Sequence, residues 1–162
     1  MRLETPLKRR DLLDRSRRVA MVGASANSLR PSYFVFRYLQ THGFEVTPVN
    51  PSYGEIEGTP CYPTLAAYAR EHGAPDIVDV FRKPHDCPQV VRDAVAIGAK
   101  AVWFQYGVIS EEAIRLAEEA GLDVVVDRCM KVEHARFDGG LSVAGFDSGV
   151  LSARRRRTAA QR

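Results

Sequence analysis

Five short apolar runs recur along the chain, and a segment with helical periodicity separates each run from the next. Runs of this length that are rich in β-branched residues are typical of buried strands. The runs are VAMV (19–22), EVTPV (45–49), DIVDVF (76–81), KAVWF (100–104) and DVVVD (123–127). Because strands that alternate with helices form parallel sheets, the pattern predicts a doubly wound α/β domain. We expect a five-stranded parallel sheet in the order 3-2-1-4-5, with helices on both faces.

The segments between the runs carry helix start and stop signals. Thr64 and Ser110 are favourable N-cap residues, and glycine follows four of the segments. The predicted helices cover about 7–16, 32–42, 64–72, 85–97, 111–120, and a last segment from near Cys129 to about Arg136. The leading helix is expected to cover one side of the sheet.

The composition is that of a globular protein, with 45% hydrophobic and 27% charged residues among 162. A chain of this length forms one domain with a real core. No stretch reaches the roughly 18 unbroken apolar residues of a membrane span, and the charged N-terminus has no signal-peptide core. The cysteines form no CxxC pair, which fits a reducing compartment. We therefore expect a cytoplasmic protein with no membrane partner.

The net charge of +3 is concentrated at the two ends of the chain. Residues 1–18 carry seven basic and three acidic side chains, and residues 154–162 carry five arginines and no acid. The body between them has eleven basic and seventeen acidic residues. Because the body has no basic stripe, we do not expect nucleic acid as a partner, although the basic ends leave that alternative open.

The loops that follow the strands are the places to look for a site, because ligands of such sheets bind beyond the carboxyl ends of the strands. We expect that site near a switch point between strands 1 and 4. The first loop, GASANSLRPS, combines a glycine turn at Gly23 with the hydroxyls of Ser25 and Ser32. Arg30 and the start of the next helix add a cation and free N–H groups. This combination predicts a phosphate-binding loop, although the same residues are also compatible with an ordinary turn between a strand and a helix. The loop matches neither GxGxxG nor a Walker A motif.

The remaining loops indicate which class of nucleotide the site would bind. Asn50 and Pro51 follow strand 2 directly, at the position where NAD sites usually have an acidic residue that binds the ribose hydroxyls. Phe81 and Arg82 follow strand 3, where a ring and a cation can stack on a base and pair with phosphate. Gln105 and Gly107 follow strand 4, whose Trp103 and Phe104 are expected in the core.

The fifth loop contains Asp127, Arg128 and Cys129. The two charged side chains can pair with each other. The thiol lies near a helix start, where its pKa can be lowered, although a buried and inert cysteine is the commoner case.

Taken in order, four stretches resemble a known family: VAMVGASANSLRPSYFVFRYLQTHGFEVTPVNP, DIVDVFRKP, IGAKAVWFQYGV and GLDVVVDRCMKVEHARF. The sequence is similar to the small bacterial and archaeal CoA-binding proteins. These are single Rossmann-like domains related to the N-terminal part of the succinyl-CoA synthetase alpha subunit. The resemblance implies a CoA site with a pyrophosphate loop, a strand-2 turn, a wall beside strand 3 and a strand-4 turn. The implied residues are, in that order, Gly23, Ala24, Ser25, Arg30 and Ser32; Asn50 and Pro51; Phe81 and Arg82; Gln105 and Gly107.

The resemblance covers about residues 10–137, so we expect a domain over 1–137 followed by a variable or disordered basic tail over 138–162. In the synthetases a second domain supplies a phosphorylated histidine, which we expect this chain to lack. No Ser-His-Asp arrangement, metal cluster or carboxylate pair stands out on the loops. We therefore expect non-catalytic binding of CoA or an acyl-CoA, as a sensor or carrier, by a monomer or homodimer.

Two further functions stay open beside nucleic-acid binding. One is a regulatory Rossmann module that binds NAD(P) or AMP, with Arg30 and Arg82 accepting an extra phosphate. The other is an enzyme that uses Cys129 as a nucleophile, through a mixed disulfide with CoA.

Overall fold

The computed structural model describes residues 1–138. These residues form six α-helices: α1 (Pro6–Asp14), α2 (Pro31–Thr41), α3 (Leu65–His72), α4 (Cys87–Ala96), α5 (Glu111–Glu119) and α6 (Met130–Asp138). The strands are β1 (Arg18–Val22), β2 (Glu45–Val49), β3 (Glu55–Ile56), β4 (Thr59–Pro60), β5 (Ile77–Val80), β6 (Ala101–Phe104) and β7 (Asp123–Val125). Asp138 ends α6, and the rest of the basic tail predicted over 138–162 lies outside the described residues.

The main sheet has five parallel strands in the order β2-β1-β5-β6-β7. The predicted α/β class, the parallel sheet and the five apolar runs as its strands are confirmed. The predicted order 3-2-1-4-5 is wrong: in the same numbering of the five long runs the order is 2-1-3-4-5. The third run, β5, therefore lies beside β1 at the centre of the sheet and not beyond β2.

Pro48 explains why β2 is an edge strand. Its carbonyl accepts a hydrogen bond from the backbone N–H of Tyr62 on the side away from β1. The nitrogen of a residue in a strand faces the same side as its carbonyl, so the donor that proline lacks is missing from the outer edge. A further strand beyond β2 would lose a ladder hydrogen bond there. By contrast, all four residues of β5 are buried, as a central strand requires.

Helices cover both faces of the sheet, as predicted. On the first face, α1, α2 and α6 pack with alternate strand residues such as Met21 and Trp103. On the second face, α3, α4 and α5 pack with residues such as Val78 and Phe104. Trp103 and Phe104 are fully buried, which confirms their assignment to the core. The first helix after β1 and the three that follow lie on opposite faces because the direction of strand addition reverses at β1.

Both edges of the sheet have a chain segment beside them. The backbone of Leu3 donates to Val124 of β7 over 2.8 Å, and Tyr62 lies against Val49 of β2. A β3–β4 hairpin, which the apolar runs did not predict, lies next to β2 and buries Ile56. Its two turn residues have positive φ, the conformation that two-residue hairpin turns need. No helix within residues 1–138 combines the length and the apolar character that crossing a membrane requires.

Candidate functional site

A cleft of about 760 Å³ opens at the carboxyl ends of β1, β5 and β6. It lies where the strand order reverses, between β1 and β5. The predicted switch point between strands 1 and 4 is therefore wrong, because the third run occupies the place next to β1. Seven of the predicted site residues line this cleft: Gly23, Ser25, Arg30, Ser32, Phe81, Arg82 and Gln105.

A smaller cleft of about 320 Å³ lies on the other side of β1, and two more predicted residues, Asn50 and Pro51, line it. Much of its wall is apolar, with Val49, Leu65 and Val90 beside the prolines. Gly23, Arg82, His85 and Asp86 line both clefts, so the two form one groove across the edge of the sheet. Ala24 and Gly107 line neither of these two clefts.

Polar groups of the first loop form hydrogen bonds with other groups of the same loop. The Oγ of Ser32 is buried and accepts the backbone N–H of Ser25 over 3.2 Å. The Oγ of Ser25 accepts the N–H of Asn27 over 3.1 Å. The close backbone approach expected of Gly23 is made to the carbonyl of Phe81, at the end of β5. The two serines and the glycine therefore shape the loop, and Arg30 is its free charged group.

Positive charge collects in the larger cleft. Arg30, Arg82 and Lys83 all line it, together with the first turn of α2, which begins at Pro31. The guanidinium of Arg30 has no hydrogen-bond or ion-pair partner among residues 1–138. Arg82 donates to the carboxylate of Asp86 over 3.1 Å. Three cations with one carboxylate, beside a helix N-terminus, make a site for an anion.

Asn50 ties the second loop to the first. Its Nδ2 donates to the carbonyl of Ala24 over 2.8 Å, and its Oδ1 accepts the N–H of Ser52 over 2.9 Å. One amide proton remains for a ligand. The turn-shaping role of Asn50 is thus present in the structure, and a ligand contact stays a prediction.

Hydrogen bonds from the fifth loop hold the fourth loop and the end of β6 in place. The carboxylate of Asp127 accepts the backbone N–H of Gly107 over 2.9 Å, and the indole of Trp103 donates to the carbonyl of Arg128 over 2.7 Å. Asp127 has a φ of 55°, a conformation that aspartate tolerates better than most residues. The pairing of the Asp127 and Arg128 side chains is wrong, because Arg128 donates to the backbone carbonyl of Asp127 instead.

Cys129 lines the larger cleft just before α6. Burial raises the pKa of its thiol above the usual value, and the nearby N–H groups of Val132 and Lys131 do not offset that effect. The lowered pKa considered from the sequence is therefore wrong. The thiol, and not the thiolate, is the form present at neutral pH.

The site residues predicted from the sequence do not include Lys83, which lines the larger cleft, or Asp79, which contacts the cleft residue Gln105. The side chain of Asp79 is fully buried at the centre of β5. Gln105, which is itself buried and lines the cleft, donates its Nε2 to Asp79 Oδ1 over 2.6 Å. Burial raises the pKa of Asp79 to about 7, against the lowering effect of the hydrogen bonds from Gln105 and the Val80 backbone. An acid inside the run IVDV was the available signal, because carboxylates are rarely buried without a partner.

Comparisons with known proteins agree with this fold. Residues 17–135 match the family described as CoA binding domain. The uncharacterized protein YneT of Bacillus subtilis (strain 168) is 36% identical over 126 residues, which are 78% of this chain and 91% of that protein. A hypothetical protein from Pyrococcus horikoshii OT3 has a solved structure with 42% identity and a TM-score of 0.77, covering 82% of this chain and 91% of that one.

A more distant likeness connects the domain to larger proteins. The dinucleotide forming acetyl-coenzyme A synthetase 1 of Ca. Korarchaeum cryptofilum is 25% identical with a TM-score of 0.56, covering 66% of this chain but 25% of that one. The likeness spans a domain-sized part of that protein. On the family match and the closely similar relatives, the chain belongs to the CoA binding domain family.

Proposed function

We propose that this protein binds coenzyme A or an acyl-CoA without catalysing a reaction, and that it acts as a sensor or carrier of that ligand. The observation that carries the proposal is the convergence of Arg30, Arg82 and Lys83 on one cleft beside the N-terminus of α2. Charge-assisted hydrogen bonds and a helix N-terminus both favour phosphate groups. The family match supports CoA as the phosphate-bearing ligand.

We further propose an order for the parts of CoA along the groove. The smaller cleft beside Asn50 and Pro51, whose wall is partly apolar, suits a flat base. In this order the pyrophosphate lies over Gly23 and Arg82, where the two clefts meet, with Arg30 in the adjoining larger cleft. The pantetheine arm runs along the larger cleft toward Gln105. The similarity to part of an acetyl-coenzyme A synthetase supports this class of ligand.

The side chains in the cleft support binding in preference to chemistry. Burial raises the pKa of the Cys129 thiol, which makes it a poor nucleophile at neutral pH. The exposed imidazole of His85 lies 3.3 Å from the carboxylate of Asp86, which also pairs with Arg82. These contacts hold polar groups at the rim without forming a nucleophile and base pair.

Calorimetry tests the proposal directly. The purified protein is titrated with CoA, acetyl-CoA, NAD, NADP and AMP, and the series is repeated with Arg30→Ala. We expect micromolar binding of CoA or acetyl-CoA, weakened about tenfold or more in the variant because a charge-assisted hydrogen bond is lost. Arg115→Ala, whose side chain is exposed on α5 outside both clefts, is the matched control and should leave the affinity for CoA unchanged. Binding of NAD or AMP with no binding of CoA would replace this proposal with the regulatory nucleotide alternative.

A further inference from the structure

The buried pair of Asp79 and Gln105 contacts the same cleft as Arg30 through Gln105, and phosphate binding gives this pair no role. We propose that Gln105, held in one orientation by Asp79, accepts a hydrogen bond from an amide N–H of the pantetheine arm. Asp79 is then a positioning residue and Gln105 the residue that contacts the ligand. This inference rests on the proposed function and adds the specificity for the arm.

The fold brings the two side chains together from neighbouring strands. Asp79 of β5 pairs in register with Trp103 of β6, and Gln105 follows Trp103 by two residues. Side chains two residues apart on a strand share a face, so Asp79 and Gln105 both point to the first face of the sheet. The hydrogen bond between them, 2.6 Å long, joins the buried centre of the sheet to the wall of the cleft.

The carboxyl group decides which end of the Gln105 amide faces the ligand. A carboxylate only accepts hydrogen bonds, so the NH2 group of Gln105 must point to Asp79. The neutral acid keeps this orientation when its proton is on Oδ2, because Oδ1 then still accepts the hydrogen bond. The carbonyl Oε1 of Gln105 is therefore the atom left for the cleft, and it has no partner among residues 1–138. A carbonyl oxygen accepts a hydrogen bond from a donor group. It cannot bind a phosphate oxygen, because that oxygen is also an acceptor.

The pantetheine arm supplies such donors. It carries two amide N–H groups, whereas the phosphates at the other end of CoA carry acceptors at neutral pH. Arg30, Arg82 and Lys83 line the same cleft and attract those phosphates. The cleft thus has cations for one end of the ligand and an oriented acceptor for the other.

Packing alone does not account for an acid at position 79. Its neighbours in the sheet, Met21 and Trp103, are buried and apolar or aromatic. The second carboxyl oxygen, Oδ2, is buried without a hydrogen-bond partner among residues 1–138. Burying a polar atom in this way is unfavourable, and an apolar side chain of similar size would avoid it. What the acid supplies in exchange is the fixed orientation of Gln105.

The test compares two ligands that carry the arm with one that lacks it. CoA, acetyl-CoA and adenosine 3′,5′-bisphosphate, which lacks the 4′-phosphopantetheine group, are titrated into the wild-type protein and into Asp79→Leu, Gln105→Leu and the double variant. We expect each single change to weaken both CoA and acetyl-CoA by about 3- to 10-fold, the range for one neutral hydrogen bond. The affinity for the bisphosphate should stay unchanged. The double variant should lose no more than either single variant, because both changes remove the same contact.

The outcomes separate this inference from the proposed function. If the wild-type protein does not bind CoA, the proposed function fails and the inference fails with it. If it does bind CoA but the variants weaken both classes of ligand equally, or neither, the pair is structural and only the inference is overturned. A loss restricted to free CoA, with acetyl-CoA unaffected, would assign the contact to the thiol and would also overturn it. Asp79→Leu places an apolar side chain in an apolar environment. If that variant nevertheless unfolds, Gln105→Leu tests the inference independently.

Discussion

The backbone of Gly23 lies so close to the carbonyl of Phe81 that a Cβ at position 23 would overlap the carbonyl oxygen and lie 2.9 Å from its carbon. The φ of Gly23 is +82°, which adds a conformational cost for any other residue. We expect Gly23→Ala to lower the free energy of unfolding by about 3 kcal/mol or more, because backbone atoms at the ends of β1 and β5 must move apart. Urea denaturation measures this.

Gly43 provides the matched control for that change. Its φ is +89°, but a Cβ there would meet nothing within 4 Å. Gly43→Ala should therefore cost about 1 kcal/mol, from the conformation alone. Equal losses in the two variants would contradict the close approach of Gly23 and Phe81.

Asp79 makes stability depend on pH. Its pKa of about 7 in the folded protein lies above the value of an unfolded aspartate. Its contribution is therefore fully present below about pH 4 and is lost as the pH rises through about 7. Asp79→Asn removes this titration, so the variant should gain stability relative to the wild-type protein by about 2 kcal/mol between pH 5 and pH 8. Unfolding curves of both proteins at several pH values measure the difference, and a difference that does not change with pH would refute the raised pKa.

Asp86 opposes anion binding in the cleft. Its carboxylate pairs with Arg82 over 3.1 Å, in the wall that both clefts share. Asp86→Asn removes a negative charge and releases the arginine, so the affinity for CoA should rise about 2- to 5-fold at low salt. The gain should shrink at high ionic strength.

Glu112→Gln is the control for that measurement. It removes the same charge from an exposed pair with Arg92, outside both clefts. It should leave the affinity for CoA unchanged. Weaker binding of CoA by Asp86→Asn would mean that the carboxylate contacts the ligand favourably.

Cys129 should react slowly with alkylating agents. Burial raises the pKa of its thiol, and the same cause raises the pKa values of Cys61 and Cys87. We expect the rate of carboxamidomethylation of Cys129 at neutral pH to fall below that of an unstructured cysteine peptide, because less thiolate is present. Peptide mass spectrometry over a time course resolves the three sites. Faster labelling of Cys129 than of the peptide would restore the nucleophile alternative.

Some parts of the site could be predicted from local sequence. A turn residue such as Gly23 and a cation such as Arg30 stand directly after an apolar run, and parallel strands place such loops at one edge. Other parts depended on a partner elsewhere in the chain. From the sequence, the hydroxyl of Ser32 suits a ligand contact and a loop contact equally well; in the structure it accepts the N–H of Ser25 over 3.2 Å.

The strand order likewise depends partly on local sequence signals and partly on contacts between distant segments. Pro48 marks β2 as an edge strand, and that signal was present in the sequence. The hairpin after it was also signalled by a glycine in EIEGTP, but its strands of two residues are too short to show a period.

The sequence by itself determined the α/β class, the five strands and the edge of the sheet at which the cleft opens. Hydrophobic periodicity carries this information because each segment must bury one face, whatever its neighbours are. The tertiary structure alone decided which strand lies beside β1, which polar groups the fold consumes and that Asp79 meets Gln105. These two residues are 26 positions apart, and their contact depends on the pairing of β5 with β6. Contacts of that kind follow from the register between strands, which no single segment specifies.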